Sequence, residues 1–422
     1  MRAGRLRDAA SVGRMARVRF GHRDSAPPRP AAARQGAWRA GCAVLAVAGL
    51  AACAQRPAEV RVGFDATRVT SVASRGLADR ATRRRVTPDD PVRVASISKL
   101  AVGLVVMRLV ERGTLDLDRD VSDWLGWRLR NPAFPQVPVT LRLLLSHRSS
   151  LTDAADYAVP LGDSVRARTG DARAWDAMHA PGGFFRYANL NFPVVAGVIE
   201  KATGERFDRV MMRELFVPLR LDACFNWSGC TSGRIARHVV LYDGVTGAVR
   251  TDDLKARAPV CPVNVAPGNA CDLAGYRPGD NGALFSPQGG MRISMRDLAR
   301  LGQVLLRRGE GLLKPESVAA MTAPAWIFDG SNGDTSGGFY CRYGLAVQLL
   351  PTRAAGCRDD LFRDGAERVG HAGEAYGLRS GLWLDMAGGR GLAFFASAVP
   401  DSGAEGRASA YTAAEERLAR GR

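Results

Sequence analysis

The sequence predicts a fold of the α/β (α+β) class, an antiparallel sheet packed on helices. Three observations predict it: short β-like runs at both ends of the globular part, helical periodicity between them, and one helix whose apolar residues cover nearly every face. Taken in order, Val60–Phe64 and Val69–Ala73 read as strands near the start. The stretch "RVASISKLAVGLVVMRLVERG", residues 93–113, carries Ile97, Leu100, Ala101, Val102, Leu104, Val105, Val106 and Leu109 before Gly113 stops it. A helix apolar all round belongs in a core. Pro193–Thr203 opens with a proline suited to a first helical position and ends at Gly204. Residues 224–285 are rich in Gly, Pro and Asn and read as a stapled loop region, an insertion into one domain that spans 54–422. Strands at Tyr343–Leu349, Leu378–Leu384 and Leu392–Val399 and a polar helical pattern over Ala404–Arg420 close the chain.

Charge and composition narrow the function. An apolar fraction of 46% in 422 residues is that of a globular protein, and a net charge of +17 invites a nucleic-acid reading. The first 53 residues, however, hold ten arginines against Asp8 and Asp24, a net +8, which leaves +9 scattered over the rest. No basic run is interleaved with aromatics, so no nucleic-acid partner is expected. That arginine-rich start leads into "AVLAVAGLAAC", residues 43–53, too short to span a bilayer and flanked like a secretory signal, with Met15 an alternative start. Leu50-Ala51-Ala52-Cys53 resembles the lipobox of bacterial lipoproteins, which implies a signal peptide over 1–53, lipidation of Cys53 and, with Ala54 following, the outer membrane. An ordinary signal cleaved at a small-x-small site, leaving a soluble periplasmic protein, is the alternative. Six further cysteines fall into three sequence-local pairs, Cys224 with Cys230, Cys261 with Cys271 and Cys341 with Cys357, as disulfides in an oxidising compartment would. No C-x-x-C or H-E-x-x-H occurs, so no metal is expected.

One pair of residues carries chemistry. Ser96 and Lys99 stand one helical turn apart at the start of the buried helix, so the amine can reach the hydroxyl. Burying a lysine costs free energy, and the same desolvation lowers its pKa toward a value useful for a base. Of the four lysines, only Lys99 has a serine three residues before it.

This pattern resembles the serine β-lactamase and penicillin-binding-protein superfamily, in particular the class C β-lactamase-like serine hydrolases. Two further motifs follow in the family's order: Tyr187-Ala188-Asn189 within "PGGFFRYANLNFPVVAGVIEKATGERFDRVM", and His371-Ala372-Gly373 within "VGHAGEAYGLRSGLWLD". The segments "LRLLLSHRSSL" (141–151) and "SPQGGMRISMRDLARLGQVLL" (286–306) are also similar to the family's, so the resemblance runs from about Val60 to Val399. It implies a β-lactamase/transpeptidase-like fold, a sheet flanked by helices plus a mainly helical lobe.

It also implies roles. Ser96 would be the nucleophile of an acyl-enzyme, and Lys99 and Tyr187 the candidate bases, with the phenolate favoured by the lysine cation. Asn189 would orient Lys99 or bond the substrate amide. The backbone N–H groups of Ser96 and Glu374 would form the oxyanion hole, His371 of the third motif would be a catalytic residue, and Gly373 and Arg379 would bind substrate. His147 and His179 read as loop or core histidines. Where β-lactamases have K-T-G, this chain has lost a cation and a hydroxyl, and Arg379 or Arg342 is expected to supply the charge. The expected activity is an exported serine hydrolase of ester or amide bonds, a peptidase acting on D-amino-acid peptides or an esterase, with no cofactor. A true β-lactamase and a penicillin-binding sensor acylated without turnover stand as alternatives. The expected partners are a small-molecule or peptide substrate, possibly derived from peptidoglycan, and the membrane through a lipid anchor, with the chain a monomer.

Overall fold

The computed structural model describes residues 57–402 and 404–421, so the signal segment and Cys53 lie outside the described residues. One eight-stranded sheet dominates, built from β1 (Glu59–Asp65), β2 (Val69–Arg75), β3 (Trp326–Ile327), β4 (Arg342–Tyr343), β5 (Gln348–Leu350), β6 (Arg368–Ala375), β7 (Leu378–Asp385) and β8 (Arg390–Ala396). Its spatial order is β3-β4-β5-β6-β7-β8-β1-β2, and every neighbouring pair is antiparallel. The first two strands therefore join the edge of a sheet made mainly by the last six, as runs at both chain ends require.

Side chains alternate across the sheet, which splits the core in two. Leu382, Leu384, Ala393 and Phe395 face α1 (Ile97–Glu111) and α3 (Met295–Leu306), whereas Trp383, Leu392 and Phe394 face α4 (Ala413–Arg420). Twelve of the 15 residues of α1 are buried. At about 1.5–3 kcal/mol per buried Leu, Ile or Val, this helix is a principal source of stability. Gly103 is fitted to that packing, since a Cβ there would stand 2.9 Å from the Ala346 Cβ.

Two expected elements differ. Tyr343–Leu349 is not one strand: it turns back at Ala346, whose φ is +60°, so Tyr343 pairs with Gln348 across a hairpin. The closing helix starts at Ala413 rather than Ala404, because Thr412 and Glu415 form a reciprocal capping box that fixes its first turn. Helix α2 (Asn191–Thr203) begins two residues before Pro193. Residues 224–285 contain a short helix, Ser232–Arg237, and a two-stranded ribbon, Leu241–Tyr242 with Val249–Thr251. The cysteines are bonded Cys224–Cys230, Cys261–Cys271 and Cys341–Cys357.

Candidate active site

A short strand, Val92–Arg93, leads through a strained turn into α1. Ala95 holds a φ of +47°, a conformation costing about 1–3 kcal/mol for a residue with a Cβ. The turn is fixed by Ser98, whose hydroxyl donates to the Ala95 carbonyl at 2.6 Å and accepts from the Met291 N–H at 3.0 Å. Ser96 is thereby left as the N-cap of α1, and its side chain lines a cleft of about 780 Å³.

Lys99 is fully buried behind it. Its Nζ donates to Ser96 Oγ at 2.9 Å, to Asn189 Oδ1 at 2.8 Å and to the Gln288 carbonyl at 2.8 Å. Burial brings its pKa down to about 7, against which the Asp153 carboxylate acts to raise it. Asn189 is itself held by Asp153, which accepts from both its N–H and its Nδ2 at 2.9 Å and from the Leu190 N–H at 3.0 Å. Asp153 is thus both clamp and charge for Lys99, and no sequence motif contained it. Replacing Asp153 with Asn loosens Asn189 and removes the charge that props up the Lys99 pKa. We expect the acid limb of the pH–rate profile to move to lower pH in this variant, read from kcat/KM titrations.

Tyr187 stands over the same pair. Its hydroxyl is buried beside Ser96 and Tyr340 but makes no hydrogen bond of ordinary geometry among the described residues, and its ring stacks on Tyr340 at 4.5 Å and on His147 at 4.2 Å. The sequence reading had the lysine cation favouring the phenolate; the structure reverses this, because burial pushes the Tyr187 pKa well above the ordinary tyrosine value. His147 is a core residue. Its Nδ1 accepts from the Ala188 N–H at 3.2 Å and faces Asn191 Nδ2 at 3.0 Å, and burial holds its pKa well below the usual range. His179 is partly exposed, pairing with Asp176 at 2.9 Å.

The opposite wall is the free part of β6. On β6, strand β5 covers only Arg368–Gly370, so among the described residues His371–Ala375 presents an open edge. Ala372 donates its N–H out of that edge to Gln348 Oε1 at 2.8 Å, and by the period of two the Glu374 N–H points out of the same edge. The Ser96 N–H is without a backbone partner among the described residues. Gly373 brings the strand against the Ser96 turn: a Cβ there would stand 2.3 Å from both the Val94 carbonyl and Ser380 Oγ. Gly373→Ala should therefore destabilise the fold by about 1–3 kcal/mol, read as a fall in Tm, and displace the turn that carries Ser96.

His371 corrects the sequence reading. Its imidazole is 1% exposed and turned away from the cleft, with Nε2 at 2.8 Å from the Tyr343 hydroxyl and Nδ1 against the Ala372 carbonyl. Burial and the Lys99 charge push its pKa down to about 3, so it is a neutral strut under β6 and not a group that meets substrate. The two arginines expected to replace the missing cation are both neutralised. Arg379 lines the cleft but is paired with Glu374 at 2.7 Å, and Arg342 is paired with Glu367 at 2.9 Å away from it. Among the described residues no cluster of His, Cys, Asp and Glu suits a metal ion. A larger cavity of about 1080 Å³ lies between Trp127, Lys201 and Tyr276 and holds none of the motif residues.

A serine and its lysine at the start of a buried helix, facing the open edge of an antiparallel strand, define the β-lactamase/transpeptidase-like fold and site. The chain belongs to the beta-lactamase family, whose sequence model matches residues 15–415. It is 32% identical over 265 residues to Esterase EstB of Burkholderia gladioli, covering 58% of this chain and 64% of that protein. It is 30% identical over 148 residues to Penicillin-binding protein 4 of Amycolatopsis lactamdurans (35% of this chain, 39% of that one), and 27% identical over 136 residues to the D-alanyl-D-alanine-carboxypeptidase/endopeptidase AmpH of Escherichia coli K12 (31% and 35%). Each match thus spans less than two thirds of the relative's length. Among solved structures it resembles the octameric penicillin-binding protein homologue from Pyrococcus abyssi, with TM-score 0.60, 21% identity and coverage of 85% of this chain and 74% of that one. The D-amino acid amidase from Ochrobactrum anthropi SV3 gives TM-score 0.57 and 20% identity over 80% and 86%. At these identities the structural matches establish the fold alone.

Proposed function

We propose that the protein is a serine hydrolase that cleaves an ester or amide bond through an acyl-enzyme on Ser96. The observation that carries this is the contact between Lys99 Nζ and Ser96 Oγ at 2.9 Å, with the amine brought to about 7. At neutral pH a large fraction of Lys99 is the free amine, able to take the serine proton as Oγ attacks, while Tyr187 keeps its own proton. Asn189 Oδ1 and the Gln288 carbonyl hold Nζ in place for that transfer. The N–H groups of Ser96 and Glu374 receive the oxyanion, helped by the N-terminus of α1. Lys99, now an ammonium, supplies that proton to the departing group, with the Tyr187 hydroxyl beside Ser96 relaying it, so that both residues end as they began.

The esterase and the carboxypeptidase among the relatives support ester or peptide bonds as substrates, of the D-amino-acid peptide or esterase kind. The histidine, alanine and glycine of the third motif support weak β-lactam hydrolysis. The apolar run before Cys53 supports export and lipidation, and Ala54 after it supports a place in the cell envelope at the outer membrane. The test is intact mass after a fluorophosphonate, with Ser96→Ala beside it, then a panel of p-nitrophenyl esters, D-Ala-D-Ala peptides and a cephalosporin. An adduct on the wild type alone, with ester or peptide turnover, is the expected result. Rapid cephalosporin hydrolysis would return the β-lactamase reading, and an adduct with no turnover of any substrate would return the sensor.

A further inference from the structure

We infer that Arg93 is the residue that recognises the substrate, and that it selects substrates carrying a carboxylate close to the scissile bond. This rests on the serine hydrolase reading above and names the substrate class of that same cleft. Arg93 ends the strand three residues before Ser96, and its side chain lines the cleft with Tyr376 and Gly289.

Charge bookkeeping singles it out. Arg93 reaches Asp252 only at 3.9 Å, and Asp252 is already paired with the buried Arg292 at 2.6 Å. Among the described residues neither guanidinium has a second carboxylate at ion-pairing distance, so two cations share one anion. One positive charge is therefore left uncompensated at the cleft wall. The other cleft arginines differ: Arg379 is paired with Glu374, and Arg250 with Asp243 at 2.9 Å and Asp401 at 3.3 Å.

Hydrogen bonding gives the same answer. Arg93 Nη1 makes a long bond to the Gly289 carbonyl at 3.3 Å, and among the described residues its buried Nε has no hydrogen-bond partner and Nη2 donates to no protein group. A side chain only 13% exposed whose Nη2 donor is unspent is costly unless a ligand completes it. Its planar fork fits a carboxylate, and the Tyr376 ring, 5.4 Å from the guanidinium carbon, keeps it directed along the wall.

The test uses two thioesters of one acyl group, one leaving as mercaptoacetate and the other as its methyl ester, so that only the carboxylate differs. Water adds to the acyl carbon, the thiol departs and is titrated, and fluorophosphonate labelling of Ser96 is read separately on each protein. Wild type should favour the carboxylated thioester by about 10- to 100-fold in kcat/KM, mainly through KM. Arg93→Gln should bring that ratio toward one, Arg93→Lys should restore part of it, and Arg379→Gln should retain it. A wild-type ratio near one overturns the inference whatever the variants do. So does a ratio that falls in Arg379→Gln and survives in Arg93→Gln. Labelled Ser96 with no preference defeats only the assignment of Arg93, whereas failure of Ser96 to label defeats the hydrolase reading and this inference with it.

Discussion

Ser96→Ala should abolish fluorophosphonate labelling and lower kcat for any substrate turned over by about 10⁵-fold. The expectation is large because every other polar group in the site is arranged around that hydroxyl. Lys99 Nζ approaches it at 2.9 Å, Ser98 and Met291 fix the turn that holds it, and Ala95 takes a positive φ to present it. A strained backbone beside a buried amine is stability spent on function. The hydroxyl itself lines the cleft and adds little to the core, so the variant should keep a Tm close to wild type. A labelled or fully active Ser96→Ala would place the nucleophile elsewhere and remove the mechanism.

Lys99 should set the acid limb of the pH–rate profile. Its pKa is lowered to about 7, so the amine is protonated below that pH and free above it. For a neutral ester, kcat/KM should fall about tenfold per pH unit below 7 and reach a plateau above it. The same shift has a stability sign. Between about 7 and the unfolded value of 10.5 the folded chain binds fewer protons than the unfolded one, so this group's contribution to stability increases as pH rises through that window. Lys99→Arg keeps a cation that cannot surrender its proton and should cost about 10³-fold in kcat/KM with the charge preserved. An acid limb that lies well above 7 would instead show that Lys99 with its lowered pKa is not the base.

Much of the fold was legible before the structure. The apolar wrap of 97–111 placed α1 in the core, the local cysteine pairs are bonded as their spacing suggests, and the ordered motifs led to the superfamily. Local patterns fared worse where backbone geometry intervened. A continuous run at Tyr343–Leu349 hid a hairpin, since a positive φ at Ala346 carries no mark in the residue type. The polar pattern from Ala404 likewise gave no sign that a capping box at Thr412 would decide where the helix starts.

The sequence by itself determined which residue types could do chemistry and at what helical spacing: Ser96 and Lys99 share a face because they are one turn apart. Only tertiary structure decided their protonation and their partners. A pKa depends on how much water a fold excludes, which brings Lys99 to about 7, moves Tyr187 the other way and makes His371 a neutral strut rather than a cleft residue. Partnering depends on contacts between distant segments. Asp153 meets Asn189, Glu374 neutralises Arg379, and Asp252 is shared by Arg93 and Arg292, none of which a linear spacing encodes. Which arginine remains free to meet a substrate is for that reason a property of the folded charge distribution, not of the arginine's place in a motif.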